Sequence, residues 1–154
     1  MVYNGNTPGG EWKEYRAVDE SFEDMRSDIE ALIDDMGLPD GYKMKLILGF
    51  EEIMENIISY AYDKTSQACP VWIRLFKSGN NVIMDIMDRG APFDPLAVKD
   101  ARPKEVGLRE CKLGGYGIHL VKKFFTECLY TYGDYGEHKV NHITLIMDID
   151  GVDV

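Results

Sequence analysis

Residues 82–95, Val82-Ile-Met-Asp-Ile-Met-Asp88-Arg-Gly-Ala-Pro-Phe-Asp-Pro95, decide the fold. The run to Asp88 is apolar and strand-like. Pro92 and Pro95 cannot donate to a sheet ladder, so the strand stops before them and Asp88 lies where the chain leaves the sheet. Just upstream, Val71 to Lys77 (VWIRLFK) reads as a second strand, and Gly79-Asn-Asn81 between the two is a hairpin signal.

Two helical patterns precede this hairpin. Phe22, Met25, Ile29, Leu32 and Ile33 recur at three- and four-residue steps, which predicts a helix capped by Asp19 or Ser21 and running to about Met36, where Gly37-Leu-Pro39 ends it. A longer helix is expected from about Asp40 to Tyr62, with Leu46, Ile47, Phe50, Met54, Ile57, Ile58 and Ala61 as its buried stripe. Glu11 to Val18 reads as a short edge strand, and the ten residues before it as a loose tail.

Downstream, Leu96 to Leu113 reads as a short helix and a mobile loop. Gly114 to Gly117 then opens a helix through about Phe125, with Ile118, Val121 and Phe124 on one face. Cys128 to Tyr132 and Val140 to Ile149 read as two strands around a Gly133-Asp-Tyr-Gly136 turn. Strand, two helices, hairpin, helix, hairpin is the order of an α+β two-layer sandwich, in which helices cover one face of a mostly antiparallel sheet.

The 154 residues, 45% of them hydrophobic, suffice for one core, so residues 11–154 are expected to form a single domain. No stretch is long and apolar enough to span a bilayer, and the polar N-terminus does not read as a signal peptide; a soluble, cytoplasmic protein with no membrane partner is expected. Three widely spaced cysteines, Cys69, Cys111 and Cys128, suit a reducing compartment rather than a disulfide framework. A formal charge of −10 repels a phosphate backbone and argues against nucleic-acid binding.

Three segments carry candidate chemistry. Glu52 and Asn56 stand one turn apart on the second helix, so both side chains point the same way. Magnesium takes hard oxygen ligands and keeps several waters, so one amide oxygen beside nucleotide phosphates can suffice, and a carboxylate one turn away can accept a proton. Asp88 can accept a hydrogen bond from the exocyclic amine of adenine, and Gly90 lets a base approach the backbone. Gly115 and Gly117 can present backbone N–H groups at a helix N-terminus, where phosphate is favoured. The Gly-Lys-Ser/Thr ending of a P-loop is missing, and the glycines come too late in the chain for a Rossmann fingerprint.

Together these segments resemble the Bergerat-fold ATPases, whose sheet is mostly antiparallel and mixed. Glu52-x-x-x-Asn56 looks like their N box, Asp88-x-Gly90-x-Pro92-Phe93-Asp94-Pro95 their first glycine box, and Gly115-x-Gly117-Ile118-x-Leu120-Val121 their second. The Pro-Phe-Asp-Pro run and the Tyr60-Ala-Tyr62 ending narrow the likeness to the bacterial anti-sigma-factor serine kinases, from about Glu11 to Ile149. Tyr60 departs from a frequent histidine, and His119 falls at a variable position.

The resemblance implies ATP and Mg²⁺, with Asn56 as the metal ligand, Glu52 as catalytic base and Asp88 on adenine. It adds Gly90, Pro92, Gly115, Gly117, Ile118 and Thr144 as nucleotide-binding positions and makes Ala101 to Leu113 an ATP lid, where Lys104, Arg109 and Lys112 could reach phosphates. It also implies phosphorylation of a serine on a STAS-domain anti-anti-sigma protein, capture of a sigma factor or other target, and a homodimer. Two further readings are a non-catalytic ATP-binding module that sequesters a partner and a detached histidine-kinase ATPase domain. The second lacks a preceding helical segment with a phospho-acceptor histidine.

Three remaining features read as incidental. His138 and His142, in a turn and a strand, lie too far apart for one metal. Cys111 is a loop cysteine beside a lysine, and Tyr130, Tyr132 and Tyr135 read as strand packing with wet hydroxyls.

Overall fold

The structure is a computed structural model and describes residues 10–97 and 116–149. Its elements run β1 (Lys13–Arg16), α1 (Asp19–Asp35), α2 (Asp40–Tyr60), β2 (Pro70–Ser78), β3 (Asn81–Asp88), a single 3-10 turn (Pro95–Ala97), α3 (Tyr116–Phe124), β4 (Glu127–Tyr135) and β5 (His138–Asp148). The strands form one sheet in the order β1-β2-β3-β5-β4, and every pairing among them is antiparallel. That is the expected α+β sandwich. None of the described helices is long and apolar enough to cross a membrane.

Strand alternation sorts the sheet into two faces. Val71, Ile73 and Leu75 of β2, Val82, Met84 and Ile86 of β3, and Ile143, Leu145 and Met147 of β5 meet the helices in the main core. The helices answer with Met25, Ile29 and Ile33 of α1, Leu46, Phe50, Ile53, Met54 and Ile57 of α2, and Ile118 and Val121 of α3. A second, smaller cluster of Phe76, Ile83 and Ile146 lies on the opposite face.

Several boundaries differ from the sequence reading. Helix α1 starts at Asp19 itself, after an extended Val18, with no side-chain cap; Asp19 and Glu20 instead place negative charge in its first turn, where the helix dipole favours it. Helix α2 stops at Tyr60, and Ile53, outside the expected stripe, is fully buried. At the end of α3 the deeply buried aromatic is Phe125, one residue past the helix, rather than Phe124, because its ring fills the space over Gly49 of α2. Strand β4 runs on to Tyr135, and the β4–β5 turn is Gly136-Glu137, with Gly136 at φ +63°. The β2–β3 loop is Gly79-Asn80, where only the glycine has positive φ, the pattern of a type II′ turn.

The first nine residues of the expected tail, the lid segment Ala101 to Leu113, Gly114 and Gly115, and Cys111 lie outside the described residues. Cys69 and Cys128 are free thiols, the first buried and the second half-buried.

Candidate functional site

Helix α2 is the spine on which two of the three motifs meet. Gly117, at the start of α3, rests on Glu52: a Cβ there would stand 2.0 Å from the Glu52 carboxylate. Gly90, beyond the end of β3, rests on the end of the same helix, where a Cβ would stand 2.1 Å from the carbonyl oxygen of Ala61. Ala91 N–H donates to that carbonyl at 2.9 Å. Nine residues separate the two docking points, about 13 Å of helix at 1.5 Å per residue. Glu52 and Gly117 at one end and the Asp88–Gly90 turn at the other thus frame one stretch of surface, with Asn56 between them.

Gly90 is therefore small for a reason the sequence did not suggest: it clears the helix backbone. Gly90→Ala should push the loop off α2. The expected cost is about 1–3 kcal/mol, read as a fall of several degrees in the thermal midpoint. An unchanged midpoint would show that the loop is not seated there.

Asp88 is 4% exposed. Its Oδ1 accepts from Gly90 N–H at 2.8 Å and from Asn141 Nδ2 at 2.9 Å. Oδ2 receives no hydrogen bond from the described residues and is left for a donor from outside. Burial pushes the carboxyl above its ordinary value, against the opposing pull of the bonds from Asn141 and Gly90. The ionised form is thus a cost to folding at neutral pH, one that diminishes as pH falls through the folded pKa.

Asn141 is the residue that sequence reasoning missed. It pairs with Asp88 across the β3–β5 ladder and is itself 4% exposed. Its Nδ2 also donates to the carbonyls of Ala91 at 2.9 Å and Gly90 at 3.3 Å, while its Oδ1 accepts from Phe93 N–H at 3.1 Å and Tyr130 O–H at 2.5 Å. One amide thereby fixes the whole Asp88–Phe93 turn. The Tyr130 hydroxyl thus has a partner within the protein, whereas Tyr132 and Tyr135 are exposed. Tyr62 adds a second tie: its hydroxyl accepts from Arg89 N–H at 2.7 Å and donates to the carbonyl of Pro70. Above it, the rings of Tyr60 and Phe93 lie 5.5 Å apart.

Asn56 donates its Nδ2 to the backbone carbonyl of Glu52 at 3.0 Å. That bond orients the amide and leaves Oδ1, the atom a hard cation takes, without a partner among the described residues. Among those residues no group of three His, Cys, Asp or Glu could cage a metal. The open amide oxygen of Asn56 beside the Gly117 backbone nevertheless fits a magnesium ion carried on a nucleotide. Gly117 N–H belongs to the first turn of α3, where backbone donors lack helical partners.

Other expected positions do not join this surface. Ile118 is 1% exposed and its side chain is spent in the core. Pro92 is exposed, its ring bounding the turn that Asn141 holds. Thr144 lies on the opposite face of the sheet, where its hydroxyl donates to Asp85 Oδ1 at 2.6 Å. Asp85 there also accepts from Arg74 Nε at 2.9 Å, and His142 Nε2 lies 2.7 Å from its Oδ1. Trp12 covers this buried cluster, 4.5 Å from the Arg74 guanidinium. His138 and His142 are both in β5, and His138 pairs instead with Arg89.

The sequence model of the histidine kinase-like ATPase domain matches residues 15–147 of the chain. No curated protein matches it.

Proposed function

Because the chain belongs to the family of histidine kinase-like ATPase domains, we propose that it is an ATP-dependent protein serine kinase of a partner-switching system. It would phosphorylate a STAS-domain anti-anti-sigma protein and hold a sigma factor or another target when that antagonist is phosphorylated. The family implies ATP binding. The serine specificity and the partners rest on the Asp88–Pro95 and Tyr60–Tyr62 likenesses.

The observation that carries the catalytic reading is the seat of Glu52. Its carboxylate lies directly beneath the Gly117 backbone at the head of α3, one turn from the open oxygen of Asn56. A carboxylate in that place can take the proton of an attacking serine hydroxyl. Asn56 Oδ1 would ligate a hydrated magnesium ion, which supplies charge neutralisation to the transferring phosphoryl group. Gly117 N–H would face phosphate, and Asp88 Oδ2 would accept from the adenine amine, which guanine replaces with a carbonyl. The binding-only alternative would use Glu52 only as packing beneath Gly117, a role that glutamine could fill equally well.

Calorimetric titration with Mg-ATP and Mg-GTP tests the nucleotide half. Wild type should bind ATP selectively, and Asp88→Asn should weaken it by about tenfold to a hundredfold, the worth of one charge-assisted hydrogen bond. Because an ionised carboxylate accepts more strongly than the protonated form, wild-type affinity should fall as acid protonates Asp88, whereas the Asn variant should lack that component. Equal affinity for ATP and GTP, or an Asp88→Asn variant that binds like wild type, would overturn the assignment.

A further inference from the structure

We propose that the face of the sheet opposite the described helices carries a second binding site, for a small carboxylate with a branched or cyclic apolar body. Asp88 and Arg89 are neighbours at the end of β3, and alternation sends their side chains to opposite faces. Asp88 faces the helices. Arg89 faces a cleft of about 270 Å³ walled by Trp12, Trp72, Met87 and Val140. Met87 and Val140 are nearly inaccessible and form its floor, and Tyr135 borders it. Ligand pockets run upward from about 300 Å³, so this one has room for a single ring or short branched chain.

Arg89 gives the cleft its charge. Its guanidinium stands 5.7 Å over the Trp72 ring, and its Nη1 lies 3.0 Å from His138 Nε2. A guanidinium only donates, so His138 Nε2 is the acceptor in this arrangement. Nε and Nη2 meet no carboxylate among the described residues. The cation is thus free to take an outside carboxylate in a chain with 27 acidic and 17 basic side chains. Arg26 and Arg74, by contrast, each take a carboxylate partner. A planar guanidinium fork matches the two oxygens of one carboxylate, and a single cation suits a monoanion. The aromatic and aliphatic walls would take the apolar body. The cleft lies across the sheet from Asp88, so a nucleotide bound on the helix side leaves it open.

The chain has two tryptophans, and both line this cleft, so intrinsic fluorescence reads its occupancy directly. The probes are cyclohexanecarboxylate and 4-methylpentanoate, with cyclohexanecarboxamide as the uncharged control. The full chain should give a saturable change with the acids below about 10 mM, at least about tenfold weaker with the amide. Arg89→Gln should lose at least about tenfold in acid affinity while melting like wild type, and Arg89→Lys should fall between the two. Saturating Mg-ATP should not displace the acid. No saturable response to either acid, equal binding of acid and amide, or an Arg89→Gln variant that binds like wild type would overturn the proposal. So would displacement by Mg-ATP, which would place the acid in the nucleotide site.

Discussion

Replacing Glu52 by glutamine is expected to slow γ-phosphoryl transfer to the proposed STAS-domain partner by about a hundredfold to ten-thousandfold, the usual contribution of a positioned general base. Glutamine is the informative substitution. It keeps the volume beneath Gly117, where the carboxylate now fits against a position with no room for a Cβ. The α2–α3 contact therefore survives, and only the ability to take a proton is lost. Glu52→Ala should show the same rate loss. Mg-ATP affinity should remain near wild type in the glutamine variant, because Asp88, Asn56 and the Gly117 N–H are untouched, whereas alanine removes the support under Gly117. Single-turnover transfer measured beside calorimetric binding separates the two effects. A glutamine variant with wild-type turnover would remove Glu52 from the role of base and favour the binding-module reading.

The second large effect is expected at Asn141. Alanine there removes every bond that the amide makes, leaving the Phe93 N–H, the Ala91 carbonyl and the Tyr130 hydroxyl without it in a half-buried turn. Asp88 loses one of its two hydrogen bonds at the same time. Each unsatisfied group costs about 1–3 kcal/mol, relieved in part where water enters, so a total of about 3–5 kcal/mol is expected. For a chain of this size that is a fall of roughly ten degrees in the thermal midpoint. Tyr130→Phe alone should cost far less, and the double variant should be less destabilised than the two single losses added together, because both remove the same bond. A midpoint for Asn141→Ala close to wild type would show that the turn holds itself without the amide.

The helices and the strand end at Asp88 were legible because their signals are local. Three- and four-residue spacing marks the buried stripes of α1 and α2, and two prolines forbid the ladder beyond Asp88. The same spacing put Glu52 and Asn56 on one side of a helix. Asn141 was hidden because its partner lies across a ladder between strands distant in the chain, and no local pattern states that register. The face on which Thr144 lies was hidden for a related reason. Position 144 is three residues from Asn141, an odd number, so the two point to opposite faces of β5. The Arg74–Asp85 pair did leave a signal. Each interrupts an apolar strand with a charge of opposite sign, and counting outward from the Gly79-Asn80 turn sets them face to face. Gly49 and Gly90 are small because of what packs against them, Phe125 and Ala61, and a sequence does not state its neighbours.

The contacts that build the candidate site join residues far apart in the chain: Asp88 with Asn141, Glu52 with Gly117, and Ala61 with Gly90. The β2–β3 and β4–β5 hairpins can form early from neighbouring residues, but the three contacts coexist only once β3 has paired with β5 and both α2 and α3 have docked. A partly folded chain therefore has nothing to offer a nucleotide. Whatever occupies the site binds the native state alone, and at a free concentration one hundred times its dissociation constant it would add about 2.7 kcal/mol to the folding equilibrium. The cell's nucleotide pool would then act as part of the folding machinery of this protein.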